Sequence, residues 1–302
     1  MASLQAKFFY SILRSSWLNK TEVNKQNLSQ IRKRFTKDNH IKFLFSVADV
    51  KVTQTKIAGI EVEEFATDEV TNKVILYAHG GGFVFGRVYP HVGIMSQLCK
   101  QAKVKIISVN YKLAPEYTFP TQIHEIEKVY SYLLQNGYKP QDVFFAGDSA
   151  GTNLIIATAL LLKKNKKALP KGIILISPTT DGTFSYQSFT TNQKTETMLS
   201  QQKMRFFYNS YKGEENVKNI LISPIFADLK GLPKTQIFVS DNELLLGDAI
   251  NFYKKLQKVS VTTELHVGKG LWHAYPFFAK YVPEAKQSLK EMAKFINYNS
   301  LV

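Results

Sequence analysis

Five residues constrain this chain more than any others: Gly147-Asp148-Ser149-Ala150-Gly151. They follow a short apolar run, Val143–Ala146, and open a long apolar-periodic stretch, Ser149–Lys164. A serine flanked by glycine two residues away on each side, between a buried strand and a helix, asks the chain to reverse sharply at the serine. The reversal holds that residue in strained backbone geometry and leaves its hydroxyl exposed at the strand end. The glycines avoid collisions where helix and strand pass closely. The N-terminus of the helix supports negative charge developing beside it.

The rest of the chain fits a sheet around that turn. Short apolar runs without alternation recur at Val74–Ala78, Val104–Val109, Val143–Ala146, Ile173–Ile176, Ile237–Val239 and Val261–Val267. Most read as strands buried on both faces, as in a parallel sheet. Helical periodicity fills the intervals at His91–Gln101, Gln122–Gln135, Ser149–Lys164 and Gly247–Lys258, with a last helix over Pro283–Asn297. Strands alternating with helices predict a doubly wound α/β sheet. Ile57–Ala66 alternates instead, which predicts one early antiparallel strand. Residues 181–220 are polar, with a helical pattern at Ser200–Tyr211 and no strand. An insertion there suits a lid over an active site. The expected division is therefore 1–45 as N-terminal cap helices, 46–180 and 216–302 as the α/β domain, and 181–215 as a cap insertion.

A serine hydroxyl needs a base to become a nucleophile. With this turn the chain order is serine, acid, histidine. Of six histidines, His266 and His273 lie after Ser149. His266 falls inside the last strand pattern and reads as packed. His273 ends the glycine-rich loop Gly268–His273 and is the favoured base. The acid should sit just after Ile237–Val239, where Asp241, Glu243 and Asp248 compete. Its task is to orient the imidazole and stabilise the imidazolium. Asp241 is nearest the strand end and Asp248 reads as a helix cap, but the residues alone do not rank the three. His79-Gly80-Gly81-Gly82-Phe83 directly follows Val74–Ala78. Its glycines let backbone N–H groups face an oxyanion, together with the N–H of Ala150; His79 itself reads as structural. No Lys-Ser/Thr follows these glycines and no G-x-G-x-x-G is formed, so phosphate and dinucleotide loops are excluded.

With those motifs in place, the chain resembles the hormone-sensitive-lipase-like branch of the α/β hydrolases. Tyr77–Phe83 is similar to the family's oxyanion segment, and Ser108–Glu116 to its S-V-D-Y-R-L-A-P-E block. Gly147–Gly151 with Asn153-Leu154 is similar to its G-D-S-A-G-G-N-L, and Trp272-His273 to its W-H. Ser223-Pro224 and Leu232-Pro233 fall in the expected order, and the ordered matches cover residues 74–275. The resemblance implies an α/β-hydrolase fold with a helical cap, and a carboxylesterase acting on short to medium acyl esters without cofactor or metal. It implies Ser149, Glu243 and His273 as the triad, because relatives with E-x-L-L-x-D carry the acid at that first glutamate; Asp241 is the runner-up. It implies Gly81, Gly82 and Ala150 as the oxyanion hole. Three positions depart from the pattern. Asn110 and Lys112 stand where the family has Asp and Arg, which suggests that a structural ion pair became a neutral contact. Thr152 replaces a glycine.

The same parts fit two other activities. A triad of this kind also serves amide, formamide and lactone hydrolases. Plant gibberellin receptors, which bind without turnover, resemble this branch but have lost the histidine that His273 retains here. Aromatic residues of the insertion, Phe184, Tyr186, Phe189, Phe206, Phe207 and Tyr208, fit an acyl pocket or, at helical spacing, ordinary core.

Composition adds limits. Hydrophobic residues make up 44% and charged residues 21% of the 302, enough for a sizeable core and against disorder. The net charge of +15 comes largely from scattered lysines, so a solvated surface is preferred to an anionic partner such as nucleic acid or a membrane surface. One cysteine, Cys99, allows no internal disulfide and reads as a small buried hydrophobe. No apolar run approaches the roughly 20 residues of a membrane span. Residues 1–21 are basic and amphipathic, with Lys7, Arg14 and Lys20 and no acid. A mature helix is the preferred reading there and a transit peptide the competing one. The expected setting is the cytoplasm, with mitochondrial targeting as the rival. The expected partner is a small ester, and relatives' dimers leave a homodimer open.

Overall fold

The apolar runs pair side by side, as their lack of alternation requires. In a computed structural model, residues 2–16, 21–37 and 42–298 are described. Trp17, Lys20 and His40, within the expected N-terminal helical region, lie outside them. The strands are β1 (Lys51–Ile57), β2 (Ile60–Ala66), β3 (Val74–Ala78), β4 (Lys105–Val109), β5 (Val143–Asp148), β6 (Gly172–Ile176), β7 (Lys234–Ser240) and β8 (Thr263–Gly268). They form one sheet in the order β1-β2-β4-β3-β5-β6-β7-β8. β1 and β2 are antiparallel to their neighbours, and all later pairings are parallel. β3, β5 and β6 are buried along their whole length, because helices cover both faces of a parallel sheet.

The helices are α1 (Leu4–Ser15), α2 (Leu28–Lys37), α3 (Lys42–Phe45), α4 (Tyr89–Ala102), α5 (Thr121–Gln135), α6 (Ala150–Lys164), α7 (Ser188–Thr191), α8 (Gln201–Lys212), α9 (Leu246–Lys258) and α10 (Pro283–Asn297). α6 is buried from Ala150 to Leu162 and carries Lys163 and Lys164 in its last turn, where cations complement the helix dipole. α8 is capped by Ser200, whose Oγ accepts from the Lys203 N–H at 3.1 Å. Cys99 is buried, and its burial pushes the thiol up to about 11. No helix among the described residues is long and apolar enough to cross a membrane.

Three expectations change. The alternating segment 57–66 is not one strand: β1 and β2 form a hairpin that turns at Ala58-Gly59, both with positive φ. β1 carries no pattern because Lys51 to Lys56 are all exposed. The last strand begins at Thr263 and is a half-exposed edge, not a strand buried on both faces. His266 lies on that edge, stacked on Phe238 at 4.6 Å, so it is half-buried and not enclosed.

The N-terminal segment is fastened through α2. Arg32 donates from Nε to the Val84 carbonyl at 2.7 Å and from Nη2 to the Ala114 carbonyl at 2.6 Å, and pairs with Glu116 at 2.7 Å. One guanidinium thus ties α2 to the glycine loop's far end and to the A-P-E segment. Lys112, expected in a neutral contact, keeps an ion pair: its Nζ lies 3.8 Å from Glu125, whose carboxylate also accepts the Lys112 N–H.

Candidate active site

Ser149 sits between β5 and α6 with φ +48° and ψ −123°, a left-handed conformation that non-glycine residues rarely adopt. Its N–H donates to the Ile176 carbonyl at 2.8 Å, which ties the turn to β6. A Cβ on Gly151 would lie 2.0 Å from the Ala78 carbonyl oxygen, and one on Gly147 would lie 2.8 Å from the Gly151 backbone. Helix and strand therefore pass at a distance only glycine permits. Gly151→Ala is expected to cost about 3 kcal/mol, the upper end of ordinary overpacking. A urea-unfolding midpoint unchanged from wild type would contradict this. Thr152 fits because its Oγ1 donates to the Ser149 carbonyl and accepts the Thr179 N–H at 3.2 Å.

The three candidate acids are separated by geometry. Glu243 is fully buried, and its Oε2 lies 2.7 Å from His273 Nδ1. Its Oε1 accepts from the Ser240 N–H at 2.8 Å and the Ser177 hydroxyl at 3.0 Å. Asp241 instead accepts the Gly270 N–H at 2.7 Å. Asp248 accepts from the Thr180 and Asp181 N–H groups, at 2.6 and 2.9 Å, so it does not cap its own helix. Burial pushes Asp248 up to about 7. The structure thus brings His273 to Glu243, not to Asp241 or Asp248.

Two residues here had no signal in the sequence. Ser177, with φ +50°, donates to Glu243 and accepts the Ala274 N–H at 2.9 Å, joining the acid to the histidine loop. Ser240 completes the carboxylate's donors through its N–H. Burial acts to lower the His273 pKa, but Glu243's hydrogen bond and charge, with the charges of Glu196 and Asp148, outweigh it and hold the imidazole above its ordinary 6.5.

Asp148, inside the G-x-S-x-G turn, braces the glycine loop. Its carboxylate accepts from the Gly80 N–H at 3.0 Å and the Tyr77 hydroxyl at 2.8 Å, and it lies 3.2 Å from His91 Nε2. His91 Nδ1 accepts the Val88 N–H, so the proton toward Asp148 is on Nε2. Burial opposes ionisation of Asp148, yet His91 and the Tyr77 hydroxyl outweigh it and hold the carboxyl below its usual value. His79 is structural: Nδ1 is 2.7 Å from the Gly80 carbonyl, and the ring stacks on Tyr111 at 4.3 Å. Burial and the nearby His91 push it down to about 4, so it is neutral.

Gly81 and Gly82 have φ +108° and +60°. A Cβ on Gly81 would lie 2.6 Å from the Phe85 carbonyl oxygen, and one on Gly82 would lie 2.4 Å from the Phe207 ring. Among the described residues, nothing accepts the N–H of Gly81, Gly82 or Ala150. All three residues line one cavity of about 330 Å³ with Ser149 and His273. Its remaining wall is largely apolar, from Leu13 and Val23 in the N-terminal segment and from Met198, Leu199, Met204, Phe207 and Tyr208 in the insertion. The insertion's aromatic residues divide accordingly. Phe207 and Tyr208 face the cavity, while Phe184 and Phe189 stack on each other at 4.5 Å. Among the described residues, no cluster of three or more His, Cys, Asp or Glu is placed to hold a metal ion.

Known proteins are similar to this chain in sequence and fold. A family model described as the alpha/beta hydrolase fold matches residues 75–277. An esterase of Acinetobacter venetianus is 34% identical over 247 residues, 82% of this chain and 82% of that protein. A hormone-sensitive lipase from a metagenome library matches with TM-score 0.91 and 30% identity over 98% of both chains. EstE5 soaked with p-nitrophenyl butyrate matches with TM-score 0.89 and 30% identity, again over 98% of both. The chain belongs to the α/β-hydrolase fold family, among its hormone-sensitive-lipase-like esterases.

Proposed function

We propose that this protein hydrolyses short- to medium-chain carboxylic esters through an acyl-enzyme on Ser149. One observation carries the reading: Ser149, the Glu243–His273 pair and three unengaged backbone N–H groups converge on one apolar cavity. His273 takes the Ser149 proton as Oγ attacks the ester carbonyl. Negative charge forms on the carbonyl oxygen, where the N–H groups of Gly81, Gly82 and Ala150 receive it; one such donor is typically worth about 2.7–4 kcal/mol. His273 then protonates the departing alkoxide, and the acyl group stays on Ser149. Water, deprotonated by His273, repeats the steps and releases the acid. Glu243 fixes the imidazole with its proton on Nδ1 and balances the imidazolium charge.

We assign residues 1–45 and 181–215 to a cap, because both supply wall to the cavity that Ser149 lines. At about 330 Å³ the cavity is near the lower end of ligand pockets, about 300–1,000 Å³, which favours short acyl groups. The lone buried thiol of Cys99 favours a reducing setting such as the cytoplasm. The test is hydrolysis of p-nitrophenyl esters from acetate to dodecanoate. Turnover is expected to be highest for short acyl groups and to fall steeply beyond medium length. No turnover of any ester by folded protein, with cleavage of a matched amide or lactone, would overturn the reading.

The pH dependence follows from the pair. The base must be neutral, and His273 is held above 6.5. A group with a raised pKa stays protonated to higher pH, so kcat/KM is expected to rise with pH through an acid limb centred above 6.5. A limb centred near 5 in the wild type would contradict the Glu243–His273 coupling.

A further inference from the structure

The loop from Asp241 to Leu245, between β7 and α9, is irregular and largely buried, so its backbone polar groups need partners from elsewhere. The insertion supplies them. Asn192 Nδ2 donates to the carbonyls of Asp241 at 2.8 Å and Glu243 at 3.0 Å. Thr195 Oγ1 donates to the Asn242 carbonyl at 2.9 Å, and Ser188 Oγ to the Leu244 carbonyl at 2.7 Å. Glu196 Oε2 accepts the Leu244 N–H at 3.0 Å. Four consecutive carbonyls around Glu243, and the next N–H, are therefore held by side chains of residues 188–196.

Glu196 is the buried centre of this clamp. Its Oε1 accepts the N–H groups of Thr197 at 2.8 Å and Met198 at 3.0 Å, shaping the strip whose Met198 and Leu199 line the cavity. One carboxylate thus touches the substrate wall on one side and the acid loop on the other. We infer that Glu196 is a positioning residue for the triad acid, through which the cap sets the place of Glu243. The inference rests on the triad reading of Ser149, Glu243 and His273.

The charged groups around the imidazole are Glu243 on the acid loop, Glu196 on the cap and Asp148 at the end of β5, the last paired with His91. Lys203, on α8, is the cation that Glu196 also acts upon. Glu196 supports the protonated form of His273, so removing its charge moves the acid limb to lower pH. The conservative variant Glu196→Gln keeps the side chain's shape and one acceptor oxygen.

The test is the pH profile of kcat and KM for p-nitrophenyl butyrate in wild type, Glu196→Gln and Asn192→Ala, each checked by thermal unfolding. For Glu196→Gln the expected result is a loss of roughly tenfold in kcat, little change in KM and an acid limb displaced downward. Asn192→Ala is expected to lower kcat with a smaller displacement of the limb than Glu196→Gln, because it loosens Glu243 but removes no charge. In a Glu243→Gln background, Glu196→Gln is expected to add almost nothing to the loss in kcat, since its positioning acts through the acid that is already gone, while its charge still displaces the limb downward. A folded Glu196→Gln protein with wild-type kcat and limb overturns the inference, as does a change confined to KM. If Glu196→Gln fails to fold, Asn192→Ala with unchanged kcat overturns it instead. Full activity in Ser149→Ala would sink the triad reading itself, so the two failures are distinct.

Discussion

Replacing Ser149 with alanine is expected to lower kcat for p-nitrophenyl butyrate by about a million-fold, the scale found when a serine hydrolase loses its nucleophile. The reason is chemical: Ser149 is the hydroxyl carried by the turn itself, beside the N–H groups that Gly81, Gly82 and Ala150 offer to the same cavity. The fold should survive. Alanine removes one oxygen and keeps Cβ in the left-handed conformation that serine already tolerates at φ +48°. Parallel measurement of the thermal midpoint separates loss of chemistry from loss of structure. A variant retaining a tenth of wild-type kcat would place the nucleophile elsewhere.

Glu243→Gln is expected to cost about ten-thousand-fold in kcat, as when a triad acid becomes an amide. The glutamine fits the same space, but the charge that balances imidazolium is lost. Its NH2 must face one of three donors: His273 Nδ1–H, the Ser177 hydroxyl or the Ser240 N–H. The acid limb should move downward as well, because Glu243's hydrogen bond and charge are what hold His273 up. Asp241→Asn, by contrast, should leave the limb in place, because that carboxylate meets Gly270 and not the imidazole. If Asp241→Asn were the variant that lost four decades, the acid would be Asp241.

How much of this was legible in the sequence depended on how local each feature is. The elbow and the glycine loop could be read directly, since their constraints act between residues a few positions apart: Gly147 and Gly151 make room for one turn. The buried strands were legible because β3, β5 and β6 expose nothing and so carry unbroken apolar runs. β1 was not, because all but its last residue are exposed and no burial imposed a pattern. The acid was ambiguous for a geometric reason. Asp241 is nearer the strand end, but Glu243, two residues on, folds back over the Ser240 N–H to reach the imidazole. Only the family resemblance pointed to Glu243, the carboxylate that meets His273. Ser177 meets Glu243 across 66 positions of sequence, and Asn192 and Thr195 meet the same loop across about fifty. Such long-range polar contacts have no periodicity and no motif to announce them. The neutral contact expected at Lys112 is not found because lysine is itself a cation and Glu125, 13 positions on, comes within 3.8 Å of it.

Trapping the acyl-enzyme tests Ser149 as the nucleophile directly. Wild-type protein is mixed with p-nitrophenyl butyrate, quenched in acid within the first turnover, and its intact mass and peptides are measured. One butyryl group per chain is expected, mapped to Ser149, with p-nitrophenol released in a matching burst. Sustained hydrolysis with no adduct, or with the butyryl group on another residue, would contradict it.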